Sequence, residues 1–206
     1  MKTYKSAAGK AETELIIKRS RFITRVFPVN TEKEAEAHLG KIREQHKDAT
    51  HNVYAWQVGI TKTVQRCSDD GEPGGTAGRP VLEVIKQNDL VNILIVVTRY
   101  FGGIKLGAGG LIRAYSQAAR EGLEKAGVVE KALHAKYRVT IDYPLANIVQ
   151  AFLEKKFKII EVDYGEQVSF IILALEQHPG TLLPVLKDAS KGQAVIEDMG
   201  TEFYEI

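Results

Sequence analysis

Apolar and polar positions alternate along this chain with two periods, and each change of period marks a new element. Glu14–Ile17 and Phe22–Val29 read as strands joined by the basic turn Lys18-Arg19-Ser20-Arg21. Thr31, with Glu34 three positions on, has the capping-box pattern and opens a helix to about Lys47. Val53–Val58 and Thr63–Ser68 pair around Gly59, and the Gly- and Pro-rich stretch Asp69–Gly78 is a loop. Pro80 fits the first turn of a short helix ending near Gln87. Val91–Thr98 is almost wholly apolar, which predicts a central strand covered on both faces. A second glycine-rich loop leads into a helix from about Gly109 to Ala126. Tyr54 and Trp56, two apart, share one strand face, where packing explains them better than base stacking.

Beyond Val128 the pattern restarts. Tyr137, Val139 and Ile141 alternate as in a half-buried strand, and Pro144 opens a helix with the stripe Leu145, Ile148, Val149, Phe152, Leu153. Lys158–Tyr164 and Gln167–Leu175 form a hairpin around Gly165-Glu166. Leu182, Val185, Leu186 and Ala189 mark a second helix, and Ala194–Met199 a last strand. The order βαββαβ is the ferredoxin-like arrangement. The sequence therefore predicts an α+β protein of two domains, 1–134 and 135–206.

Composition narrows the setting. An apolar share of 44% and a charged share of 26% suit a chain that buries a core. Cys67 is the single cysteine, so no intrachain disulfide forms, and the thiol is expected to be a quiet core or loop residue. The start Met1-Lys-Thr-Tyr-Lys-Ser lacks a signal-peptide pattern, and the apolar runs Ile93–Val97 and Phe170–Leu175 are of strand length. A soluble, cytoplasmic protein with no membrane contact is expected. The net charge of +2 is unevenly split: residues 1–134 carry 21 basic against 15 acidic side chains, and residues 135–206 carry 7 against 11. Any anionic partner should therefore meet the first half.

Two segments carry chemistry. Ser68-Asp-Asp-Gly-Glu-Pro-Gly-Gly-Thr-Ala-Gly-Arg-Pro80 sets Asp69, Asp70 and Glu72 beside four glycines. Hard cations take such oxygens, but the spacing departs from a calcium loop, and no metal or other cofactor is expected. As loop groups, Asp70 and Glu72 are expected to change stability by no more than ~1 kcal/mol when neutralised. Thr98-Arg-Tyr-Phe-Gly-Gly-Ile-Lys-Leu-Gly-Ala-Gly-Gly-Leu-Ile-Arg-Ala-Tyr115 runs from a buried strand through a glycine-rich loop to a helix start. That geometry turns free N–H groups toward an anion, with Arg99, Lys105 and Arg113 supplying fixed charge. Arg113 opposes the helix dipole by up to ~1 kcal/mol, which favours a functional reason for it. Arg99 has the alternative of pairing with Asp69 or Asp70.

Known phosphate motifs fail here. Ala108 stands where a P-loop lysine belongs, and Ile112 where a dinucleotide fingerprint needs its closing glycine. Of the five histidines only His51 precedes a strand near these loops, and no zinc spacing is present. An enzyme would have to use His51 as base with Asp70 and Glu72, or with Cys67 or Ser68 as nucleophile.

At these segments the sequence resembles the IMPACT family, in its bacterial YigZ-type branch. The resemblance rests on Asp69-Asp-Gly-Glu-Pro-x-Gly-Thr-Ala-Gly-x-Pro80, on Val97-Thr-Arg-Tyr-Phe-Gly-Gly-x-x-Leu-Gly-x-Gly-Gly-Leu-x-Arg-Ala-Tyr115, and on His51-x-x-x-Ala55. It covers residues from about 17 to 125, and the part beyond is similar to the extra domain of the bacterial members. The resemblance implies a ribosomal protein S5 domain 2-like first domain, and a pair similar to the last two domains of elongation factor G. The eukaryotic relatives are translational regulators that bind the activator of an initiation-factor kinase through an RWD domain. This chain has no room for that domain, so the partner does not carry over.

These readings converge on a translation-associated, non-enzymatic protein that binds RNA or the ribosome. Its site would be Arg99, Gly102, Gly103, Lys105, Gly107, Gly109, Gly110 and Arg113, with Asp69–Gly78 as a neighbouring wall. A hydrolase or phosphate-handling enzyme using the acidic loop and His51, and a protein-interaction module, are the alternatives.

Overall fold

The computed structural model describes residues 3–175, 184, 187 and 190–206. The chain divides into two compact units, Tyr4–Glu130 and Lys131–Ile206 together with the N-terminal Thr3, each with its own apolar core.

In the first unit a five-stranded antiparallel sheet has the order β2–β3–β6–β4–β5. Its strands are β2 (Ala11–Ile17), β3 (Ser20–Pro28), β4 (His51–Val58), β5 (Val64–Ser68) and β6 (Ile93–Tyr100), and a short β1 (Thr3–Ala7) precedes them. The all-apolar run lies at the centre as β6, and the side-chain period of two divides it between two cores. Ile93, Ile95 and Val97 join one face with helices α2 (Gly78–Gln87) and α3 (Ala108–Ala126). Leu94 and Val96 face α1 (Glu32–Gln45), whose Ala35, Leu39 and Ile42 repeat at helical spacing. Thr31 caps α1 by accepting from the Glu34 N–H, and Glu34 in turn accepts from the Asn30 N–H at 2.8 Å. Tyr54 and Trp56 stack in that core with ring centroids 5.0 Å apart, so both are packing residues. Helices thus cover both faces of one antiparallel sheet, an α+β arrangement.

The second unit continues β7 (Val128–Ile141) through α4 (Tyr143–Lys156), β8 (Lys158–Tyr164), β9 (Val168–Leu175) and β10 (Val195–Glu205). The sheet is five-stranded, in the order β1–β7–β9–β8 with β10 also paired to β7, and the β7–β10, β7–β9 and β8–β9 pairs are antiparallel, so that β10–β7–β9–β8 follows the ferredoxin-like order 4-1-3-2. Ala146, Val149 and Leu153 of α4 pack on Val139, Ile141, Phe170 and Ile172 of the sheet. Leu182, Val185, Leu186 and Ala189, which marked a second helix in the sequence, lie outside the described residues.

Candidate functional site

The acidic loop is a clasp rather than an open surface turn. Asp69 turns its carboxylate into the start of α2, accepting from the N–H groups of Gly75 (2.8 Å), Ala77 (2.9 Å) and Gly78 (2.8 Å). Burial pushes its carboxyl up, the three donors outweigh that, and the group sits below its ordinary range. Asp70 holds the β4 end: one oxygen takes the Asn52 N–H at 2.6 Å and the other takes Arg43 at 3.0 Å. With these two carboxylates facing different partners, the loop forms no metal cage. Among the described residues no three His, Cys, Asp or Glu side chains gather to hold a metal ion.

Glu72 overturns the expectation of a surface carboxylate, because its side chain is only 3% exposed. It accepts from Arg99 Nη1 at 2.6 Å and from the Tyr115 hydroxyl at 2.7 Å, both on its Oε1. Arg99 therefore pairs with Glu72, where the sequence offered Asp69 or Asp70. The reason is register: Arg99 at the end of β6 stands opposite Phe22 of β3 and His51 of β4, directly behind the loop. Its guanidinium is flanked by the Phe22 and Phe101 rings, each 5.4 Å from its central carbon, and Nη2 donates to Ser20 Oγ at 3.2 Å. Its Nε has no hydrogen-bond partner. Burial, then the bond to Glu72, pushes the Tyr115 hydroxyl far above its usual range, so it remains a donor at every physiological pH.

His51 is oriented by the same loop. Nδ1 lies 2.7 Å from the Asp70 carbonyl, which can only accept, so Nδ1 carries the proton. Nε2 then faces Glu72 Oε2 at 3.7 Å. Cys67 is half-buried, and desolvation pushes its thiol up, away from the thiolate a nucleophile needs.

The glycine-rich segment completes the site. Gly102 lies directly on the Arg19 backbone, where a Cβ would overlap the carbonyl, and its N–H donates to Ser20 Oγ at 3.2 Å. Two loops distant in sequence, β2–β3 and β6–α3, are thereby joined. Gly103 and Gly107 adopt positive φ of 83° and 72° to turn the chain into α3. Gly107 is the N-cap and supplies no side-chain cap, and Leu111 is the first residue of α3 with an intrahelical bond, to the Gly107 carbonyl. The N–H groups of Ala108, Gly109 and Gly110 stand ahead of it. A cavity of about 410 Å³ opens there, lined by His51, Glu72, Arg99, Lys105 and Ala108 with an apolar wall from Phe101, Leu106 and Leu111. Arg113 is outside that lining, exposed and curled back toward Gly109. Sequence reasoning singled out neither Phe101, Tyr115 and Ser20 nor Lys18 and Arg19 for this region. The basic turn Lys18–Arg21 was the one available signal.

The fold and this clasped cavity define a two-unit α+β protein whose first unit is an Impact N-terminal domain, the family model that matches residues 18–123. The chain is 41% identical over 197 residues to the IMPACT family member YvyE of Bacillus subtilis, spanning 95% of this chain and 91% of that one. Against the family member YigZ of Escherichia coli it is 37% identical over 160 residues, or 76% and 77% of the two chains. A crystal structure of a hypothetical protein, 31% identical, superimposes over 95% of this chain and 97% of its own with a TM-score of 0.65. The chain belongs to the IMPACT family. Among the described residues no helix is long and apolar enough to cross a membrane.

Proposed function

We propose that this chain is a translation-associated regulator of the cytoplasm that works by binding RNA rather than by catalysis. The observation that carries the reading is the uncapped N-terminus of α3, joined through Gly102 to the β2–β3 turn with its exposed Lys18 and Arg19. Lys105 and Arg113 are exposed on the same segment, so four cations without a carboxylate partner flank a set of free backbone donors. Phe101, 47% exposed beside Arg99, offers a ring on which a base can stack. Glu72 Oε1 is engaged by both Arg99 and Tyr115, a structural duty that speaks against a catalytic role for this carboxylate. Regulation of translation enters through the family, whose eukaryotic members have that role.

The test is fluorescence anisotropy with a single-stranded RNA between low and moderate salt. Neutralising four phosphates predicts a slope of log K against log salt of roughly −3. Lys105→Ala and Arg113→Ala should each weaken binding by ~1–3 kcal/mol and flatten the slope. Unchanged affinity and slope in both variants would end the RNA reading.

A further inference from the structure

On the α1 face of the first sheet, away from the α3 helix start, we propose a second anion site: a groove between α1 and the β2–β3 pair that takes a phosphate monoester as its dianion. It stands apart from the RNA reading above and shares no residue with it.

The groove follows from where α1 sits. α1 packs on β4 and β6, while Ala11, Leu15 and Ile17 of β2 turn to the core on the opposite face. Glu12, Glu14 and Ile16 are thereby left exposed on the α1 side. A cavity of about 390 Å³ remains between α1 and the strands. His38, Lys41 and Gln45 reach it from α1 at the spacing of one helix face. Lys10 reaches it from just ahead of β2, and Arg25 from β3, where it stands opposite Glu12.

The charge of the groove selects its ligand. Arg25 is the fixed member, its side chain 12% exposed and its Nε bonded at 2.7 Å to Glu12, whose side chain is 61% exposed. Lys10 and Lys41 are exposed and enter no ion pair among the described residues. Three cations against one carboxylate leave two positive charges uncompensated around one cavity. A phosphate monoester carries about −1.5 to −2 at pH 7, whereas a diester or a sulfate ester carries a single charge. One guanidinium and two ammonium groups supply donors for its three terminal oxygens. For the carbon side of the ester there is a wall of Phe27, stacked on His38 with ring centroids 4.3 Å apart, and Ile42. Burial, then the ammonium groups of Lys10 and Lys41, holds the His38 imidazole below its ordinary range, against a smaller upward pull from Glu34. Both ammonium fields thus reach this ring, and an anion bound between them opposes their effect on it.

The experiment follows the imidazole resonances of the full chain against pH with phenyl phosphate or phenyl sulfate added, the His38 signal being assigned by its loss in His38→Gln. Phenyl phosphate should raise the His38 pKa, shift the Phe27 and Ile42 resonances, and bind at least about tenfold tighter than phenyl sulfate. Lys10→Gln and Lys41→Gln, at exposed positions, should keep the fold and each weaken binding by about tenfold. Lys105→Ala should leave it unchanged, which separates this groove from the α3 helix start. No movement of His38 at about 10 mM phenyl phosphate overturns the site. Equal binding of the two esters overturns the dianion argument, and loss in Lys105→Ala without loss in the Lys10 and Lys41 variants overturns the location. A hexanucleotide whose 5′-phosphate gains about tenfold over the 5′-hydroxyl form, through Lys10 and Lys41, supports the site and identifies an RNA end as its ligand. Hexamers bound alike, with phenyl phosphate still held in the groove, support it with a small phosphorylated compound as the ligand.

Discussion

Replacing Glu72 by Gln removes one charge from a buried pair and leaves Arg99 cationic among the Phe22 and Phe101 rings. The side chains are 3% and 5% exposed, so water cannot compensate. Two hydrogen bonds to a charged acceptor, at 2.6 and 2.7 Å, are worth about 1.5–3 kcal/mol each, of which the neutral amide oxygen keeps about 1 kcal/mol. Breaking one side of a buried ion pair costs about 3–5 kcal/mol by a separate route, and the two ranges overlap. A loss of about 3–5 kcal/mol is therefore expected, a large share of a typical domain's stability. Trp56, the only tryptophan, is buried in the first unit, so its fluorescence in a urea titration reports that unit. The double variant Glu72→Gln/Arg99→Met removes both charges and should recover much of the loss. A single-variant loss below ~1 kcal/mol, or a double variant no more stable than the single, would refute the clasp.

Three further outcomes are expected. The Asp69 carboxyl is held below its ordinary value of 3.8, so its stabilisation is present above that value and disappears as the pH falls toward the lower folded one. Asp69→Asn does not titrate, and acid melts of that variant should show a shallower fall in this window; an unchanged acid limb would contradict the capping role. Gly102→Ala places a methyl into the Arg19 backbone and should destabilise the first unit by about 1–3 kcal/mol in urea while loosening RNA contact. Wild-type stability in that variant would show that the two loops do not need their close approach. A fragment of residues 1–130 should melt cooperatively with buried Trp56 fluorescence, because both cores flanking β6 lie within it; a molten species would show that the units fold only together.

The sequence by itself determined most of the elements. The capping box at Thr31, the apolar run of β6, the α4 helix and the βαββ order of the second unit are written in near neighbours, whose contacts recur every two or every three to four residues, while Ile148 of the expected α4 stripe is exposed. Elements without such a local signature were missed. β1 is too short to alternate clearly, and β7 begins at Val128, well before Tyr137, because Lys131–His134 pair with Glu202–Glu205 of β10. For the site, the sequence supplied the two loops, the helix start and His51, since glycines and charges concentrate there. It could not tell which charges meet. Glu72 and Arg99 lie 27 residues apart, Glu72 and Tyr115 lie 43 apart, and Ser20 and Arg99 lie 79 apart. The register of β3, β6 and β4 sets Arg99 beside Phe22 and His51, and only then does one carboxylate of three become buried while the other two cap and tether the loop. Partner choice among like charges follows from distance and desolvation, which a linear chain does not possess until its strands have paired.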